Sequence, residues 1–123
     1  MEIGKDNPQS TYGGTVDSPE QNYGIGNMLY NNAMDKLIAA NNVPADDKTG
    51  LSRKLNEESN TFFRLSIPYF KNAIKYYDGL KDNDNMTNRS NTYHCLTALN
   101  TVYIRLGLYD ELKPIKARIE EYM

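Results

Sequence analysis

Apolar side chains return every three or four residues along most of this chain, and no stretch alternates apolar with polar side chains as a half-buried strand does. That recurrence matches the 3.6-residue turn of an α-helix and predicts an all-α fold of about four helices. Ile25, Met28, Leu29, Ala33, Leu37 and Ala40 form the first such series. Ser18-Pro19-Glu20 precedes it. A serine accepts a bond from the free N–H groups of a first turn, and proline fits the first helical position. Asn41-Asn42-Val43-Pro44 ends the series. Gly24 and Gly26 lie inside it and weaken the helix intrinsically, unless a neighbouring helix comes close to the backbone there.

A turn over Asp46-Asp47-Lys48-Thr49-Gly50 leads into a second helix, expected from about Thr49 to Leu80. Its first half is sparse in apolar residues. Its second half holds Phe62, Phe63, Leu65, Ile67, Tyr69, Phe70, Ala73, Ile74, Tyr76 and Tyr77, a band too wide for one contact face, so it should touch helices on two sides. Pro68 removes a bond to the carbonyl of Arg64. The apolar spacing passes through it without slipping, which predicts a bend near Pro68 in place of a break. Lys81 to Asn88 read as a polar loop. The third helix is expected to begin near Arg89 to Asn91, with Tyr93, Leu96, Leu99, Val102, Tyr103 and Leu106 on its inner face. Gly107 serves as a left-handed C-cap. A fourth helix starts around Tyr109-Asp110 and buries Leu112, Ile115, Ile119 and Tyr122, with Pro114 distorting its first turn.

Two regions follow. Residues 1–17, with Pro8, Gly13 and Gly14 and no periodicity, read as a flexible N-terminal arm, or else as an extended segment docking through Tyr12 and Val16. Residues 18–123 form the helical domain. A chain of 123 residues suits one core, and 39% hydrophobic with 24% charged residues suits a globular domain. Lys and Arg are scattered and the net charge is −2, which argues against a nucleic-acid partner. No apolar stretch is long enough for membrane insertion. Residues 1–6 lack the apolar centre of a signal peptide, so the expected location is cytoplasmic by default, or periplasmic or secreted if a leader has been removed. Cys95 is the only cysteine, which excludes an internal disulfide and a multi-cysteine metal site.

The stretch from Leu96 to Leu112 resembles a tetratricopeptide repeat. With Tyr93 as the first repeat position, Leu96 and Leu99 fall on the family's apolar positions and Tyr103 on its aromatic one. Gly107 and Tyr109 supply the tight helix–helix turn. Leu112 and Ile119 replace the usual alanines, Lys116 an aromatic residue and Asn100 a glycine. A second, interrupted copy lies upstream in Ile25-Gly26 and Leu29, then Ser66, Phe70 and Ala73. Together these segments look like a divergent group of tetratricopeptide-like proteins from Bacteroidetes bacteria. The resemblance covers residues 20 to 122 and implies stacked antiparallel helical hairpins, each covering its neighbour's apolar face.

Chemistry is sparse. His94 and Cys95 are adjacent, but neighbours on a helix point about 100° apart and do not make a nucleophilic pair. A small buried Cys beside a partly exposed His is the expected state. Asp46-Asp47, Glu57-Glu58 and Glu120-Glu121 sit at helix starts or surfaces, where solvation explains them. Asp82-Asn83-Asp84-Asn85 lacks the glycine and the terminal glutamate of a calcium loop. No cofactor motif and no catalytic constellation is expected. Of the many tyrosines, Tyr69, Tyr76, Tyr77 and Tyr103 read as core residues with hydroxyls reaching water. Tyr23 and Tyr30, with Arg64 and Lys71, make the candidate partner-binding surface on a concave face. The expected function is a non-catalytic protein- or peptide-binding module. The alternative is a structural self-association subunit, such as a homodimer.

Overall fold

A computed structural model describes residues 18–80 and 85–122 of the chain. The expected N-terminal arm and residues 81–84 of the expected polar loop lie outside the described residues. Four helices make up the described fold: α1 (Pro19–Asn41), α2 (Leu51–Asp78), α3 (Met86–Leu106) and α4 (Tyr109–Glu120). No strand occurs among the described residues.

Local signals set most boundaries. The Ser18 hydroxyl oxygen caps α1 by accepting from the Gln21 N–H at 3.3 Å. At the other end of α3, Gly107 takes the left-handed conformation (φ 73°). Its N–H bonds the carbonyl of Ile104, and the Leu108 N–H reaches the carbonyl of Tyr103 at 2.8 Å. This paired closure satisfies carbonyls that the helix end would leave bare. One boundary differs from expectation. α3 begins at Met86, about a turn before Arg89, because the Asn85 side chain accepts from the Asn88 N–H at 3.1 Å and supplies a cap. Pro68 lies within α2 and Pro114 within α4, and neither helix breaks there.

The helices pair in chain order: α1 with α2, α2 with α3, α3 with α4, with a lighter touch between α1 and α3. Cross-contacts show the first pairing to be antiparallel. Ser52 donates to the carbonyl of Ala40 at 3.4 Å, Ser59 to that of Ala33 at 2.7 Å, and the Phe70 ring lies against Gly26. As numbers rise along α2, those of the α1 partners fall. The wide apolar band of α2 is used on two sides, as expected. Tyr69 packs with Leu29 of α1, while Phe70, Ala73, Ile74 and Tyr77 join Cys95, Leu96, Leu99 and Tyr103 of α3 in the main core. Leu112, with half-buried Ile115 and Ile119, closes that core from α4, and Tyr122 just beyond the helix end packs against it too. A third cluster joins Ala33, Phe63 and Val102.

Three expected core positions sit at the rim instead. Met28 lies on the outer side of α1, because the helix turns its buried face through Asn22, Gly26, Leu29 and Ala33. Tyr76 is 45% exposed, one residue out of register with Ala73 and Tyr77, and only its ring edge meets Tyr77. Tyr93 lies beside Tyr122 at a centroid distance of 5.8 Å, at the open edge between α3 and α4. Polar bonds tie the helices together. Asn91 Nδ2 donates to the Tyr77 hydroxyl across α2 and α3, and Arg118 grips Asp78 with two bonds of 2.8 and 3.0 Å across α4 and α2.

Candidate functional site

Stacking α2 and α4 on either side of α3 leaves a groove of about 290 Å³ between them. α2 supplies one wall through Lys71, Ile74 and Lys75, since residues three and four apart share a helix face. α3 supplies the floor through Leu96, Leu99 and Tyr103. α4 supplies the opposite wall through Ile115 and Arg118. The floor side chains are buried, and the groove presents an apolar surface that includes Ile74 and the half-buried Ile115.

Charge is distributed unevenly around this rim. The Arg118 guanidinium is committed to Asp78, and the two hydrogen bonds it donates to that carboxylate hold its pKa above the usual value. Lys71 and Lys75 are exposed, and neither has a carboxylate within ion-pair distance among the described residues. The groove therefore offers two uncompensated cations one helical turn apart, above an apolar floor. Burial holds the Tyr103 hydroxyl protonated to higher pH than usual, with Glu111 adding to the effect.

The expected surface residues divide. Lys71 lies on the groove wall. Arg64 is exposed two turns earlier on the same side of α2, so Arg64, Lys71 and Lys75 form a basic stripe about 16 Å long. Tyr23 and Tyr30 are half-buried between helices. The Tyr30 ring meets Phe63 and Phe70 edge-on at 5.6 and 6.3 Å, and Tyr23 meets His94 at 5.6 Å. The structure does not bring these two tyrosines to the groove. Lys75 and Arg118 were not singled out in the sequence and Ile115 was read only as a core residue, because only the docking of α4 against α2 gives the three a shared surface.

Elsewhere the side chains are taken up in packing. His94 is exposed and its Nε2 lies 2.9 Å from the Asn27 Oδ1, linking α3 to α1. Cys95 is fully buried and its thiol is pushed up to about 12 by desolvation, as a structural cysteine should be. A larger depression of about 580 Å³ is lined by Met86, Arg89, Ser90, Tyr93 and Tyr122. There Arg89 lies 5.0 Å from the Tyr122 ring centroid in a cation–π contact. Among the described residues, no cluster of three His, Cys, Asp or Glu could hold a metal ion, and no helix is long and apolar enough to cross a membrane. Comparison of the chain with protein-family models, curated proteins and solved structures finds no match.

Proposed function

We propose that this chain is a non-catalytic, tetratricopeptide-like binding module that holds a polypeptide segment in the groove between α2 and α4. The observation that carries the reading is the groove itself, with its apolar floor and two unpaired lysines on one wall. Inserting one apolar side chain there contributes about 1.5–3 kcal/mol, and hydrogen bonds and charge contacts at the rim add orientation. Supporting the repeat-like part of the proposal are the antiparallel hairpins in chain order and the Gly107 turn between α3 and α4. Arg64 extends the basic wall beyond Lys71, so the bound segment runs along α2.

A peptide array probed with the labelled chain and with an Ile115→Arg variant tests this. Binding to a subset of peptides, lost in the variant while its helical circular-dichroism signal is kept, is the expected result. An array with no signal above background, or one on which the variant binds unchanged, defeats the proposal.

A further inference from the structure

We infer that the segment this groove accepts is the α3–α4 turn of a second copy of the same chain; the inference rests on the groove being a polypeptide-binding surface. The segment runs from Leu108, the last residue of the connection, through Tyr109-Asp110-Glu111, which form the first turn of α4. Leu108 is 38% exposed and Tyr109 61%, so two large side chains with apolar surface reach solvent side by side. Directly behind them come Asp110 and Glu111, exposed and without an ion-pair partner among the described residues. Of the adjacent acidic pairs in the described part of the chain, this one alone follows two exposed large apolar residues. The groove has the opposite character in the same compact pattern: an apolar seat between Ile74 and Ile115, with unpaired Lys71 and Lys75 on its wall.

The turn is also held in shape before it binds. Gly107 is left-handed, and the N–H groups of Gly107 and Leu108 are bonded to the carbonyls of Ile104 and Tyr103. A rigid projection loses little conformational freedom on docking, which is where loose peptides spend much of their affinity. In the pair, Tyr109 of one copy enters the apolar seat of the other, and its two carboxylates meet the two ammonium groups. Each copy carries both halves, so the contact either closes reciprocally into a dimer or propagates head to tail.

Sedimentation equilibrium on the full chain, over a wide dilution series, reads the result directly. The wild-type mass should rise above the 14.0 kDa of the single chain as concentration increases. The variants Lys71→Glu/Lys75→Glu and Asp110→Lys/Glu111→Lys should each stay at monomer mass, because each sets like charges against one another. An equimolar mixture of the two variants should regain the assembly, since each copy's turn then faces a groove of opposite sign. All four positions are exposed, and circular dichroism checks that both variants keep their helices. A monomeric wild type, an assembly that survives both reversals, or a mixture that stays monomeric overturns the inference. If the wild type is monomeric while array peptides still bind the groove, the binding-module reading stands and only the second-copy partner is lost. If the array is also blank, both fall.

Discussion

Gly24 and Gly26 lie two residues apart on one helix, yet they face different surroundings. A Cβ on Gly24 meets nothing within 4 Å, whereas one on Gly26 falls 3.0 Å from the Phe70 ring. That ring is fully buried and flanked by Tyr30, so it has no room to yield. Gly24→Ala should therefore stabilise the fold by about 0.5–1 kcal/mol through helix propensity. Gly26→Ala should destabilise it by about 1 kcal/mol or more through overpacking. Urea midpoints of the two variants check the opposite signs, and equal shifts contradict the account. Burial at this scale was legible where a residue lay near the centre of an apolar series, as Leu29, Phe70 and Leu99 do. It was not legible at the edges of a series. Met28, Tyr76 and Tyr93 match the spacing, but a helix face has no sharp border, and a tyrosine is as stable half in water as out of it. The groove residues were harder still. Lys71 could be singled out on α2, but Ile115 lies forty-four positions away, and nothing local says that they face one another.

Helix limits followed the capping residues more closely than the apolar pattern. Ser18 and Gly107 are strong signals and mark the ends where expected. Asn85 is a weaker one inside a polar run, because asparagine serves loops and caps alike, and α3 accordingly starts earlier than its first apolar residue suggests. Replacing this cap tests its weight. Asn85→Ala should cost about 1 kcal/mol of stability. It should also speed amide exchange in the first turn of α3 while leaving α1 unaffected, which hydrogen-exchange spectroscopy can resolve. Pro68 gives the complementary lesson. A proline in mid-helix argues for a break on local grounds, but Phe63, Ser66, Tyr69 and Phe70 around it are all buried against α1 and α3. Packing on both sides holds α2 together where its own hydrogen-bond ladder is interrupted.

Taken whole, the molecule is more vulnerable to alkali than its scattered surface charge suggests. Cys95, Tyr77 and Tyr103 are all buried and all have raised pKa values, desolvation being the first cause in each case. Each stays neutral in the fold at pH values where it would ionise in the unfolded chain. Their contribution is complete below the unfolded pKa, near 9 for the thiol, and is lost as pH climbs through the folded values, about 12 for Cys95. Urea midpoints should thus hold steady from neutral pH to about 8 and fall steeply beyond 9. Cys95→Ala should flatten part of that decline, and an unchanged slope would contradict the assignment. The order of the helices has a consequence of another kind. Among the described residues, most packing joins helices that follow one another along the chain, and α1 touches α3 only lightly. The four described helices therefore need no pairing of distant segments before packing begins. Each hairpin closes over a short span and offers a surface on which the next collapses. A fold assembled in this way is suited to rapid formation, with little time spent exposing the aromatic side chains of α2 to other molecules.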